Sequence, residues 1–426
     1  MSSTAADHLC VLVHGLWGNP SHLSYLETTI QEAYPDLYVL VAKSNANSYT
    51  YDGIELGGER IAHEIEKKIE DLEEEGHDIK KISIIGYSLG GLVARYAIGL
   101  LYSNNLFDTI QPVNFTTFAT PHLGVRTPSV GPHSYLWNIL GARTLSTSGN
   151  QLFTVDSFRD TGRPLLSVMA DPNSIFLKAL SQFKHRSLYC NIINDRSAVY
   201  YTTGITNKDP YVDLDAVKLR PLPGYDGVIL RPEEPVRPKP HQSVSALERL
   251  RVTGIRTLKT LPLAALFVVL IPIGSVLFLM NSGYQTIRSA QRIKLHEGGH
   301  GGFSIDRYRL PLIEEARHIS DRVYERLTTG QSEEYLPTPP SEAEGAVVQG
   351  EKGVKKVKGQ DKFPTLALTP EQFSMIEALD EVGFVKYPVH ISKVRHSHAA
   401  MIVRSQRKGF SEGKIVVGHW IENFEI

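Results

Sequence analysis

Gly86-Tyr87-Ser88-Leu89-Gly90 places a serine between two elements whose periods differ. Before it, Lys81-Ile82-Ser83-Ile84-Ile85 is a short apolar run that reads as a buried β-strand. After it, Leu92-Val93-Ala94-Arg95-Tyr96-Ala97-Ile98 reads as a helix with a broad apolar face. A serine at such a corner is held in a strained conformation with its hydroxyl clear of the sheet. Glycines two positions either side remove the β-carbons that would collide in so tight a turn. The five-residue pattern alone is weak; the flanking strand and helix make it specific.

The N-terminus supplies a second piece. Leu9-Cys10-Val11-Leu12-Val13 reads as a strand and runs into His14-Gly15-Leu16-Trp17-Gly18. In an α/β-hydrolase fold an early strand ending in His-Gly forms one wall of the oxyanion hole. There two backbone N–H groups stabilise the negative charge that acyl transfer develops, each worth about 3–4 kcal/mol of barrier. The expected donors are the amides of Leu16 and Leu89, the latter following the nucleophile.

Chain order then directs the search for an acid and, later, a histidine. Ser187 to Asn194 reads as a late strand with Asp195 at its carboxyl end, and Asp209 and Asp213 compete nearby. Tyr387-Pro388-Val389-His390-Ile391 reads as a further strand. Of the two histidines beyond it, His398 directly precedes the apolar run Ala399–Val403 and is preferred, with His396 as the alternative. The acid fixes the imidazole tautomer, and the imidazole takes the serine proton.

His296-Glu297-Gly298-Gly299-His300 has the written form of a zinc-peptidase motif. That chemistry needs both imidazoles on one helical face. The two central glycines each cost about 1 kcal/mol against helix, so the stretch is read as a loop without metal. No cofactor is expected.

With these residues in view the chain resembles the fungal family described as "Putative serine esterase", which includes lipid-droplet phospholipases. The resemblance is carried by His14-Gly15, the Ser88 corner, Phe118-Ala119-Thr120-Pro121-His122-Leu123-Gly124, Gly149-Asn150-Gln151-Leu152-Phe153 with Pro164-Leu165-Leu166, and Asn194-Asp195. It covers residues 8–200 and, more loosely, the C-terminal strand and histidine. It implies hydrolysis of acyl-lipid esters by Ser88, Asp195 and a C-terminal histidine, with a lipid substrate such as phospholipid or acylglycerol. Long insertions between Asp195 and His398 depart from the family pattern. A protein or acyl thioesterase would use the same triad, and a non-catalytic membrane scaffold could use the same fold.

The 426 residues can bury one large α/β core. Basic and acidic residues number 45 and 46, which gives no basis for nucleic-acid binding. Cys10 and Cys190, the only cysteines, fall in expected core strands and read as buried thiols suited to a reducing compartment. The first seven residues lack the basic and apolar regions of a cleavable leader. Asn114-Phe115-Thr116 matches a glycosylation triplet but lies in an expected strand, Val113–Ala119.

The expected layout is a mostly parallel α/β-hydrolase body over 1–216, with Tyr38–Val41 as a second strand. Ile54–Glu75 is expected to form a helix presenting Ile61, Ile65, Ile69 and Leu72 on one face. A helical cap is expected around 125–185 and a stiff proline-rich linker over 217–242. Residues 243–302 form a membrane-associating segment. Within it Leu261–Met280 is 20 residues without formal charge, about 30 Å as a helix. A single crossing would separate His398 from Ser88 and Asp195. Basic residues flank both ends, and Pro272 stands near the middle. The segment therefore reads as a re-entrant hairpin anchoring a cytosol-facing enzyme to the endoplasmic reticulum or a lipid droplet. A helix buried in the core or lining the acyl site is the competing reading. An amphipathic helix is expected over 303–330 and a disordered loop over 331–363, with a proline-directed phosphorylation pattern at Leu336–Glu342. Residues 364–426 return to the hydrolase body.

Overall fold

The computed structural model describes residues 7–127, 138, 141–239, 276–299, 308, 363 and 365–426. Strands β1 (His8–Val13), β2 (Tyr38–Val41), β3 (Lys81–Tyr87), β4 (Gln111–Phe118), β5 (His185–Asn191) and a C-terminal Val385–Val389 form one parallel sheet. Two short strands intervene in sequence, β6 (Val217–Leu219) and β7 (Val236–Pro238), so the C-terminal strand is β8. The sheet order is β2-β1-β3-β4-β5-β8, which leaves the serine strand in the interior.

Strand periodicity divides the core. Leu9, Val11 and Val13 of β1 and Ile82 and Ile84 of β3 face one layer; Cys10, Leu12, Ile85 and Tyr87 face the other. Helices α2 (Ile54–Glu74) and α3 (Leu89–Ser103) cover the first face. Helix α1 (Ser24–Ala33) and a C-terminal helix, Ser411–Glu422, cover the second. Both faces being covered explains why the strands read as nearly continuous apolar runs. Ile61, Ile65, Ile69 and Leu72 are buried as their spacing predicts. Together the parallel sheet, its two helical layers and the strand–serine–helix corner are an α/β-hydrolase fold.

The corner is tight. Ser88 has φ 56° and ψ −128°, a left-handed conformation costing about 1–3 kcal/mol for a non-glycine residue. A β-carbon on Gly90 would lie 2.3 Å from the Val13 carbonyl oxygen and 2.4 Å from that of His14. Backbone cannot move aside as a side chain can. Gly90→Ala is expected to destabilise the fold by about 3 kcal/mol or more. Gly418→Ala in the C-terminal helix, where nothing lies within 4 Å of the new carbon, should be neutral or stabilising. Thermal unfolding of the two variants checks the contrast.

Several expectations change. The stretch read as a cap holds α4 (Ser146–Leu152), α5 (Leu165–Met169) and α6 (Ile175–Gln182). Leu165, Leu166, Val168, Phe176 and Leu180 are buried in the main core, and Phe176 packs on Tyr96 of α3 with ring centroids 4.8 Å apart. Residues 165–182 are thus part of the body rather than a cover. Most of Tyr135–Leu140 lies outside the described residues.

The proline-rich linker is also revised. Strands β6 and β7 pair antiparallel, and between them Val228, Ile229 and Leu230 are buried. Leu230 donates to the Pro388 carbonyl at 2.9 Å and His390 donates to that of Val228 at 2.7 Å. This excursion protects edge strand β8, and its prolines sit where edge backbone needs few donors. Helix α7 (Tyr200–Thr203) follows β5. Helix α8 (Pro370–Val382) starts at a reciprocal Thr369–Gln372 capping box, and α9 (Ser397–Ala400) precedes the C-terminal helix, α10.

Residues 276–297 are helical, with polar groups turned inward. Buried Ser282, Ser289 and His296 mark the packed face at intervals of seven. Ser282 donates to the Thr144 carbonyl at 2.5 Å, Arg292 pairs with buried Asp52 at 2.6 Å, and His296 Nε2 meets Glu59 at 2.6 Å. The Arg60 and Arg292 guanidinium groups both lie over the Tyr49 ring, 4.8 and 5.0 Å from its centroid. Val276, Leu277, Met280, Tyr284, Ile287 and Leu295 fall on the opposite stripe and are exposed. This inverts the usual amphipathic arrangement.

The zinc-like motif is therefore helical through Glu297, not wholly a loop, and its first histidine is committed to Glu59. Residues 261–275 of the expected hairpin lie outside the described residues; 276–280 are exposed helix. Among the described residues no helix is long and apolar enough to cross a membrane. The 303–330 helix, apart from Tyr308, the phosphorylation pattern, and the 331–363 loop apart from residue 363 also lie outside them.

Candidate active site

Three strand ends bring the candidate residues together. The serine comes from the end of β3. The loop after β5 turns Asp195 inward, while the segment after β8 delivers His398 on the short helix α9. Strand β5 ends at Asn191, earlier than the sequence suggests, so Asp195 stands in the loop.

His398 Nε2 lies 2.9 Å from Ser88 Oγ, and its Nδ1 lies 2.7 Å from Asp195 Oδ2. A carboxylate only accepts, so Nδ1 carries the proton and Nε2 offers its lone pair to the serine hydroxyl. Asp195 Oδ1 accepts from the Ser197 and Ala198 amides at 3.0 and 2.9 Å, and Oδ2 from Asn191 Nδ2 at 3.0 Å. Burial pushes the Asp195 pKa up. The neighbouring imidazole and these hydrogen bonds outweigh that and hold it below the ordinary carboxylate value.

His398 is fixed from other directions. Tyr87, buried beside the nucleophile, donates its hydroxyl to the His398 carbonyl at 3.1 Å, and its ring centroid lies 5.1 Å from the imidazole. Ser397 donates to the Ile193 carbonyl at 2.9 Å, tying the histidine loop to the aspartate loop. His396 is exposed two residues away, and Ser88 bonds to His398 instead. Asp209 and Asp213 accept from Tyr211 and Asp215 amides in their own turns. Asn191, Tyr87 and Ser397 are positioning residues that sequence reasoning missed. Nothing in their local spacing distinguishes them from ordinary core residues.

The Leu16 loop approaches the nucleophile closely. A β-carbon on Gly15 would meet Ser88 Cβ at 2.7 Å and its Oγ at 3.2 Å. His14 Nδ1 donates to the Gly15 carbonyl at 3.1 Å, Gly18 donates to the same oxygen at 3.0 Å, and Trp17 donates to Thr50 Oγ1 at 3.0 Å. Among the described residues the Leu16 and Leu89 amides donate to no protein acceptor. A rigid loop with spare donors beside a nucleophile can receive an oxyanion.

The family-like motifs hold this frame. The missing β-carbon of Gly91 leaves room for Thr120, whose Oγ1 would otherwise be 2.2 Å away, and the Ser88 backbone amide donates to the Phe118 carbonyl at 2.8 Å. His122 is fully buried against Thr117 Oγ1 at 3.0 Å, and burial drives its pKa well down. Gln151 Oε1 accepts from Ile54 at 2.6 Å and Ser148 Oγ from Gly53 at 3.0 Å, anchoring the start of α2. Asn114 spends its amide on Ser83 and the Glu425 carbonyl, and both cysteines are buried free thiols.

Residues 3–208 match the family described as "Putative serine esterase (DUF676)". Curated relatives include "Putative lipase ROG1" of Saccharomyces cerevisiae, 34% identical over 205 residues, 46% of this chain and 28% of that protein. "Putative lipase C4A8.10" of Schizosaccharomyces pombe is 31% identical over 212 residues, 47% of this chain and 26% of that protein. The chain thus matches less than a third of these relatives' lengths. Solved structures with partial likeness include phospholipase PlaB from Legionella pneumophila, with TM-score 0.27, 13% identity, and 46% and 40% of the two chains covered. Aspergillus fumigatus lipase B gives TM-score 0.24, 16% identity, and 30% and 29% coverage. Over residues 3–208 the chain is similar to the putative serine esterase family.

Proposed function

We propose that the protein is a serine-dependent hydrolase of acyl-lipid esters that works at a lipid–water interface, a membrane or lipid-droplet surface facing the cytosol. The carrying observation is the continuous hydrogen-bonded path Ser88–His398–Asp195. His398 Nε2 takes the Ser88 proton as Oγ attacks the ester carbonyl. The Leu16 and Leu89 amides receive the oxyanion, and Asp195 balances the imidazolium. The imidazolium then protonates the departing alcohol, and water, deprotonated by the same nitrogen, releases the fatty acid from the acyl-serine.

The interfacial part of the reading is supported by helix 276–297. Its polar face is occupied by Asp52 and Glu59, leaving Leu277, Met280 and Ile287 outward at 62%, 68% and 63% exposure. The uncharged Leu261–Met280 stretch leads into it. The helix sits on the 47–52 loop, and Thr50 in that loop also holds Trp17, itself 49% exposed beside the oxyanion loop. An outward apolar helix tied to the catalytic mouth suits shallow insertion into lipid.

Met280→Glu/Ile287→Glu is expected to lower partition onto phosphatidylcholine vesicles by about tenfold, since each change removes an apolar contact and adds a charge. Sedimentation with vesicles measures it, and hydrolysis of a water-soluble short-chain ester should persist. Unchanged partition would remove the helix from the interface. Turnover of emulsified long-chain esters by wild type, absent in folded Ser88→Ala protein, tests the catalytic reading. Faster cleavage of acyl thioesters than of oxygen esters would redirect the substrate class.

A further inference from the structure

A cavity of about 840 Å³ opens beside His398. Arg196, Arg395, Arg404 and Arg407 line it together with His22 and His396, and no aspartate or glutamate does so. They come from separate places: the turn after Asp195, the segments flanking α9, and the turn before α1. None of the four arginines is ion-paired with a carboxylate among the described residues. All four arginines are exposed at the cavity wall. The His22 pKa is lowered by burial and further by Arg404, so that guanidinium charge is felt across the cavity.

Whole-chain composition does not explain this lining, since acidic and basic residues are almost equal in number. Like charges gathered from three segments repel one another unless an anion joins them. Guanidinium forks match phosphate oxygens in pairs, a geometry lysine does not offer.

The position of the cavity assigns it to one half of the substrate. The proton that His398 takes from Ser88 must go to the leaving oxygen, so the alcohol half lies on the imidazole side. In that step the ester C–O bond breaks, the Oγ–C bond forms, and the Nε2 proton moves to the alcohol. The cavity includes His398 in its wall and has the volume of a small-molecule site. Resting on the hydrolase reading above, we propose that it binds the phosphate of the alcohol half and selects acyl esters whose headgroup is anionic and carries no cation. A choline headgroup would bring its ammonium among four guanidinium groups. A neutral glyceride would leave them without a counter-charge.

The experiment uses three substrates with one oleoyl chain in the same neutral detergent micelles: monoacylglycerol, lysophosphatidic acid and lysophosphatidylcholine. Wild type should show kcat/KM about tenfold or more higher for lysophosphatidic acid than for either other substrate. Arg395→Ala/Arg407→Ala, both exposed positions, should reduce that preference by about tenfold, and the Arg→Lys pair should restore only part of it. A wild-type preference near unity, or equal losses on all three substrates in the Ala pair, would overturn the proposal. Inorganic phosphate should compete with lysophosphatidic acid alone. If it instead alters monoacylglycerol turnover through Arg395 and Arg407 with no substrate preference, the cavity serves free phosphate and the headgroup assignment fails. Calorimetric binding of lysophosphatidic acid to Ser88→Ala protein separates the two readings. Arginine-dependent binding without wild-type turnover would reject the hydrolase and retain the anion site.

Discussion

Ser88→Ala is expected to abolish covalent labelling by a fluorophosphonate probe and to lower ester turnover by about 10⁴-fold or more, with the melting temperature kept or slightly raised. The rate loss follows from removal of the hydroxyl aligned with His398 Nε2 at 2.9 Å. Alanine fits the space of serine, but it still occupies a left-handed backbone position, so relief of strain is not expected to be large. Residual turnover would come from the Leu16 and Leu89 donors acting on attacking water. Labelling that persists in this variant would place the nucleophile elsewhere and remove the basis of the proposed mechanism. Mass spectrometry of the labelled peptide decides it.

Asp195→Asn should cost about 10⁴-fold in kcat with little change in fold. The amide oxygen can still accept from Ser197 and Ala198, but an NH₂ group then faces both Asn191 Nδ2 and His398 Nδ1. Against His398 it drives the proton to Nε2, leaving Ser88 without a base. The same substitution has a signature in stability. Because the Asp195 pKa is lower in the folded chain, its ionised form stabilises the fold above the unfolded value, and this is lost as pH falls through the folded value. Any advantage of wild type over Asp195→Asn in melting temperature should therefore shrink as pH drops below about 4. A constant difference between pH 7 and pH 3 would show that the carboxylate gains nothing from its partners.

The serine corner was legible because its determinants are local. Two periods meet at Ser88, and the glycines that the turn requires are neighbours in sequence. Asp195 and His398 were legible in a weaker way, through chain order and the end of a strand. The proline-rich 217–242 stretch was misread because composition reports backbone stiffness but not whether Val228–Leu230 finds an open sheet edge. The expected cap was misread similarly: irregular apolar helices look alike whether they cover a site or fill a core, and Phe176 against Tyr96 settles which these are.

Helix 276–297 shows the limit most clearly. An apolar stripe in sequence is normally the buried stripe, yet here Asp52 and Glu59, more than 200 positions earlier, claim the polar side and turn the apolar side outward. The basic cavity was equally hidden, since Arg196 and Arg407 are far apart in the chain and unremarkable singly. By itself the sequence determined the strands, the strained corner and the candidate nucleophile, all properties of backbone preference and short-range spacing. Only the tertiary structure decided which histidine meets Ser88, which helix face is exposed and which charges share one cavity. Those depend on distances between segments, and contact energies act through space without regard to separation along the chain.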